Sequence, residues 1–221
     1  MTRCIFVVGN ESALSRAIEA ETANRVDQFA AASISNKLSG AQKHSQPEMP
    51  QRISLDWNPS SPISARTLII AAENRLERID EAILVCSPPS FRKNAAELPL
   101  SDIEIMINNN VKGWFFLIKE LTSLFTVKKH GTLVLVYPDT AGSGKDDNAD
   151  ILGPPALASF RALTQCLLNA AVNEPFITMS FSTSYTGNEA AFASFIFKNI
   201  DDISKRSKGK HHKFGKFTLF K

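Results

Sequence analysis

Short apolar runs alternate along this chain with stretches whose apolar residues recur at helical spacing. Cys4-Ile5-Phe6-Val7-Val8 closes on Gly9-Asn10, and Ala13, Ala17, Ile18 and Ala20 then follow at helical spacing across 12–25, which predicts strand, turn and helix. Residues 26–34 are Ala-rich and only weakly β-like. The polar stretch 35–52 contains Pro47 and Pro50, so a poor second strand followed by a loop is expected. A short strand is expected at 53–57, a helix at Pro62–Leu76 with proline at its start, and a strand at 82–86 closed by Ser87-Pro88-Pro89. Ser101 with Glu104 three residues later reads as a capping box, opening one long helix to Phe125. Beyond it, strands are expected at 132–137, 176–181 and 216–220. Helices are expected at 154–173 and 189–199, and a polar Gly/Asp/Asn loop at 139–150.

Strands alternating with helices imply βαβ crossovers. The expected fold is therefore α/β: one doubly wound parallel sheet, flanked by helices, in a single domain spanning 1–221. A chain of 221 residues, 43% hydrophobic and 21% charged, can bury one sizeable core. The net charge of +3 is too small to suggest a nucleic-acid partner. Cys4, Cys86 and Cys166 are widely spaced without metal-ligand pairing and read as buried reduced thiols. The apolar stretch after Met1 is too short for a signal sequence or a membrane span, so a cytoplasmic protein with no membrane partner is expected.

Several motifs, placed on these elements, resemble those of short-chain dehydrogenase/reductases over almost the whole length. That family ends its first strand in Gly-x-x-x-Gly-x-Gly, whose bare backbone and helix N-terminus approach a cofactor pyrophosphate; here the turn reads Gly9-Asn10-Glu11-Ser12-Ala13-Leu14-Ser15. Leu55-Asp56-Trp57 is similar to the family's adenine-contacting Asp, although Asp56 before Asn58-Pro59 is also ordinary turn chemistry. Where the family has Asn-Asn-Ala-Gly, this chain has Cys86-Ser87-Pro88-Pro89. Asn110-Val111-Lys112-Gly113, leading to the strand at 132–137, resembles the helix that carries the active-site Asn; Gly113 in mid-helix suggests close packing there. The resemblance implies a Rossmann-like NAD(P)-binding fold. Its cofactor contacts would be Gly9, Ser12, Ala13, Leu14, Ser15, Asp56, Cys86 and Ser87.

The same resemblance implies a reaction set of Ser, Tyr, Lys and Asn, of which only Asn110 is present. Pro138 or Asp139 stands at the Ser position, with Thr140 displaced, and Ala156 and Phe160 replace the Tyr and Lys of Tyr-x-x-x-Lys. A degenerate, catalytically impaired member is therefore expected, serving as a binding or interaction subunit, with NAD or NADP bound weakly or not at all. The alternative is an active oxidoreductase of a carbonyl or hydroxyl substrate with a relocated proton donor. The chain has two tyrosines, Tyr137 at the end of the fifth strand and Tyr185 after the sixth, both expected at the carboxyl edge, where packing is the competing role.

Arg25, Asn36 and Lys37 either meet an NADP 2′-phosphate or are solvated surface groups. The basic stretch 205–213 reads as an exposed loop, and His211-His212 as surface residues without metal ligands. The family commonly dimerises or tetramerises through the helices matching 101–125 and 154–173. Phe115, Phe116, Leu117, Leu124, Leu163, Leu167 and Leu168 would supply that surface, or equally the core.

Overall fold

The computed structural model describes residues 3–34, 51–91, 93–139, 150–185, 187–202, 204 and 206–215. The strands are β1 (Ile5–Asn10), β2 (Phe29–Ile34), β3 (Arg52–Leu55), β4 (Glu81–Val85), β5 (Thr132–Pro138), β6 (Ile177–Thr183) and β7 (Lys210–Phe214). Among the described residues the α-helices are α1 (Ala13–Ala23), α2 (Pro62–Leu76), α3 (Leu100–Ile107), α4 (Gly113–Lys128), α5 (Gly153–Ala170) and α6 (Glu189–Asp201). All seven strands are parallel, in the order β3-β2-β1-β4-β5-β6-β7, so the chain reverses its direction of winding between β1 and β4.

Strand alternation divides the core. Phe6, Val8, Leu84 and Leu135 face α2, α4 and α5, whereas Ile5, Val7, Ile83, Val85, Val134 and Val136 face α1 and α6. This explains the unbroken apolar runs. β2 is a regular buried strand despite its alanines, because burial on both faces overrides weak intrinsic β preference and small side chains let the covering helices approach.

Four expectations are corrected. The helix expected from Ser101 starts at Leu100: Pro99, fixed in an extended conformation, is the N-cap, and exposed Ser101 caps nothing. Nor is that helix continuous to Phe125, since Asn108–Lys112 widens into a π-helical turn between α3 and α4. Of the cysteines, only Cys86 is buried; Cys4 is half-buried, its thiol donating to Leu76 O at 3.3 Å, and Cys166 is exposed. The basic stretch contains β7, and the strand expected at 216–220 lies outside the described residues.

The alternation in β7 was hidden by its charge. His212 stacks on Phe181 at 4.9 Å and Phe214 packs on Phe192 and Phe195, while Lys210 is exposed and Lys213 reaches Asp139. On the other face, His211 spans two buried hydroxyls, with Nδ1 2.7 Å from Ser180 Oγ and Nε2 3.1 Å from Ser182 Oγ. Burial lowers its pKa, as do Lys213 and Arg161, against the opposing influence of Asp139.

The close packing expected at Gly113 has a specific partner. A Cβ there would lie 2.7 Å from Pro59 Cβ and 3.1 Å from Asn108 O, so the helix presses directly on the loop after β3. Gly113→Val should therefore destabilise the fold by about 1–3 kcal/mol, read by urea melts, although a β-carbon favours helix. His211 supplies a pH signature. Its folded-state pKa is lowered, so the unfolded chain takes up the proton first; this stabilisation is complete above the ordinary value of 6.5 and is lost as pH falls through the lowered one. The stability difference between wild type and His211→Gln should shrink as pH falls from neutrality to about 5, the region of histidine titration.

Candidate functional site

The carboxyl ends of β1 and β4 mark the point where ligands bind in open α/β sheets. The turn from β1 to α1 is filled from within. Ser12 is the α1 N-cap: its Oγ accepts from Ser15 N at 3.1 Å and lies 3.0 Å from Ser15 Oγ. Ser15 in turn occupies the space beside Gly9, where a Cβ would sit 2.4 Å from Ser15 Oγ. Gly9 is thus required by its own turn. Ala13 is exposed and Leu14 buried as α1 begins.

A cleft of about 690 Å³ opens beside this turn, between the ends of β2 and β3 and the α3 to π-turn junction. Glu11, Arg52, Asp56, Trp57, Asn108 and Asn109 are among its walls. Arg52 is spent inside the protein: Nε donates to Glu19 Oε2 at 2.7 Å, Nη2 to Ser33 Oγ at 3.2 Å, and Nη1 to Ser54 Oγ. Burial raises the Glu19 pKa, and Arg52 works against that rise. Arg25 lies elsewhere, paired with Glu21 at 2.9 Å and with Asp201, and set over the Phe197 ring. Asn36 and Lys37 lie outside the described residues.

On the other side of the switch point, side chains are locked to one another. Asn110 lies in the π-turn and is 1% exposed, its Oδ1 accepting from Asn10 Nδ2 at 2.7 Å and its Nδ2 donating to Met106 Sδ at 3.1 Å. The same Asn10 accepts from Ser87 N at 2.7 Å, so one buried amide joins β1, the β4 loop and the π-turn. Cys86 is buried at the end of β4, where burial pushes its thiol pKa up. Past Pro88-Pro89, Asp150 draws the loop against the next helix: Oδ2 accepts from Phe91 N at 3.1 Å, and Oδ1 from Leu152 N and Gly153 N at 3.1 and 2.9 Å.

The positions matching Tyr-x-x-x-Lys belong to the core. Ala156 packs with Phe91 and Met106, and Phe160, 1% exposed, meets Trp114 at 5.2 Å and Tyr137 at 6.2 Å in edge-on contacts. Asp139 is 2.7 Å from Lys213 Nζ and 3.0 Å from Arg161 Nη2, tying β5 to β7 and α5. Thr140 lies outside the described residues. Tyr137 is 8% exposed, and burial raises its phenol pKa. Tyr185, 47% exposed, lines a separate cleft of about 580 Å³ with Asn188, Phe195, Lys213 and Phe214. The structure thus brings Tyr137 to the Phe160 contact and leaves Tyr185 at the surface.

Three site-shaping residues escaped the sequence reading. Asn10 was signalled only as a polar end to an apolar strand. Asp150 stands three residues before Gly153-Pro154-Pro155, a capping distance from the helix start. Glu19 pairs with Arg52 in a buried contact that depends on the β3 register.

A dinucleotide bound along its whole length does not fit these residues. The cleft at the ends of β2 and β3 is open, whereas the positions matching the family's reacting Tyr and Lys are packed by Ala156 and Phe160. Among the described residues there is no group of three or more His, Cys, Asp or Glu placed to hold a metal, and no helix long and apolar enough to cross a membrane.

No family model and no curated relative matches the sequence. Solved structures do. Levodione reductase is similar over 96% of this chain and 95% of its own, at 10% identity and TM-score 0.74. A short-chain dehydrogenase from Bacillus anthracis is similar over 96% and 94%, at 14% identity and TM-score 0.72. A mutant short-chain dehydrogenase/reductase from Serratia marcescens is similar over 96% and 95%, at 12% identity and TM-score 0.71. Sheet order, helix placement and these likenesses together give the chain the fold of the short-chain dehydrogenase/reductases.

Proposed function

We propose that this is a catalytically silent short-chain dehydrogenase/reductase-like protein, acting as a binding or interaction subunit whose capacity for a nucleotide-like ligand is confined to the cleft beside α1. The observation that carries the reading is Phe160. A lysine there would have to be charged and reach a cofactor, but the position is enclosed by Trp114 and Tyr137. Tyr137 offers no ready substitute acid: burial holds its phenol above the ordinary range, and the nearby Arg161 only partly opposes that. Asn110 is committed to Asn10 and Met106.

The interaction role is supported by the α4 and α5 surfaces. Leu117 and Leu168 are buried in the fold, Phe116, Leu124, Leu163 and Leu167 half-buried, and Phe115 is 49% exposed. We assign self-association to this face. Phe115→Asp should shift the sedimentation velocity profile to monomer while leaving the melting temperature nearly unchanged.

The silent reading predicts no NAD- or NADP-dependent turnover with a panel of aldehydes, ketones and alcohols. Turnover lost in Tyr185→Phe or Tyr137→Phe would instead establish the active reading with a relocated donor. Restoring the motif is also expected to fail. Phe160→Lys places an amine among core aromatics and should cost about 3 kcal/mol or more, and Ala156→Tyr with Phe160→Lys should melt lower than wild type without gaining turnover.

A further inference from the structure

At the opposite edge of the sheet, where β4, β5 and β6 begin, lies a further cleft of about 460 Å³, within the size range of small-molecule sites. Its cations come from two connections distant in sequence: Lys129 and His130 from the α4–β5 connection, and Arg206 and Lys208 from the segment ahead of β7. Asp80 is the one carboxylate among its described walls, and it is already engaged, accepting from Arg78 Nε at 3.0 Å and Cys4 N at 2.8 Å. Arg206 is partly spent, with Nη2 donating to Glu81 Oε1 at 2.5 Å and Nε to Ile200 O.

The two lysines keep their charge. Lys208 Nζ donates only to a neutral carbonyl, Glu174 O, and among the described residues the Lys129 ammonium has no hydrogen bond or ion pair. The last turn of α4 favours a cation, and Lys128, paired with Glu73, already supplies one. Lys129 follows it in the left-handed region at φ 55, where glycine sits more easily. Beside it, the amides of His130 and Gly131 make no hydrogen bond among the described residues. Pro175 and Ile177 add hydrocarbon to the wall. A phosphate monoester carries about two negative charges and three strong acceptor oxygens, which suits two ammonium groups, a guanidinium and open amides better than a carboxylate does.

We infer that this cleft binds a phosphate dianion, free or carried by a small organic molecule, with Lys129 and Lys208 supplying the charge recognition. The site lies across the sheet from the cleft beside α1 and does not depend on the silent reading.

Isothermal titration of the full-length protein at constant ionic strength with inorganic phosphate, glycerol 3-phosphate and acetate tests it. Both phosphates should bind saturably and at least about tenfold more tightly than acetate. Glycerol 3-phosphate binding above inorganic phosphate identifies a carried phosphate, and equal binding identifies the free ion. Lys129→Gly, which suits the left-handed backbone and should melt no lower than wild type, and Lys208→Gln should each weaken phosphate about tenfold. Lys119→Gln, which removes a lysine 75% exposed elsewhere on α4, should leave binding unchanged. The inference is overturned by no saturable phosphate binding, by acetate or a glutamate-rich peptide binding as tightly, by undiminished binding in both cleft variants, or by an equal loss in Lys119→Gln, which would mark a general response to net charge. None of these failures touches the silent reading, which carbonyl turnover alone decides.

Discussion

The carboxyl edge of the sheet depends on the side chain of Asn10. Buried at the end of β1, it donates to Asn110 and accepts from Ser87, bridging strand, loop and π-turn with a single amide. Buried polar groups left unpaired cost about 1–3 kcal/mol each, so the three elements must stay in register with this bridge. The consequence runs outward. With Ser87 fixed, the two following prolines carry the chain stiffly to Phe91, whose amide is bound by Asp150, and Asp150 also holds the first amides of α5. A chain of hydrogen bonds thus sets where Ala156 and Phe160 lie.

The two sides of the switch point consequently differ in kind. On the side of β4, β5 and α5, Asn10, Asn110 and Asp150 bond within the protein and aromatic rings fill the interior. On the side of β2 and β3, one cation is neutralised within the protein and two carboxylates remain without partners among the described residues. A ligand entering this edge meets packed hydrocarbon on one side and an acidic polar cleft on the other. Phosphate recognition ordinarily combines helix amides, small side chains and free cations. Here the serines occupy the small-residue space, Ser12 takes an amide of α1, and Arg52 is no longer free.

Much of the architecture was legible because burial on both faces writes itself as continuous apolar runs, and β1, β4 and β5 were each visible for that reason. The α2 helix was equally plain, with Pro62 at its first position. What was hidden had competing signals. The lysines and histidines of β7 masked an alternation that only matters once Phe181, Phe192 and Phe195 are beside it. The π-turn preserves helical composition while changing the hydrogen-bond pattern, so periodicity over 101–125 read straight through it. In the site, the positions of Ala156 and Phe160 were legible as substitutions, but their enclosure was not, because it comes from Phe91, Met106, Trp114 and Tyr137, residues distant in sequence. Asn10 acts through Ser87 and Asn110, and Asp150 reaches Phe91 as well as its own helix start; those distant partners are what no local pattern records.

On the silent reading proposed above, Phe160 also explains how such a scaffold can persist without that chemistry. A lysine at this depth needs an anionic or hydrogen-bonding partner, and without one it is a desolvated charge that destabilises the fold. A phenyl ring at the same position asks for none and gains edge-on contacts with Trp114 and Tyr137. The same logic holds for Ala156 against Met106 and Phe91, and for Ser15 beside Gly9. At each of these positions a side chain that packs or bonds internally needs no partner from solvent or ligand. These side chains turn inward at one edge of the sheet, Ser15 filling the space beside Gly9 and Phe160 that beside Trp114 and Tyr137.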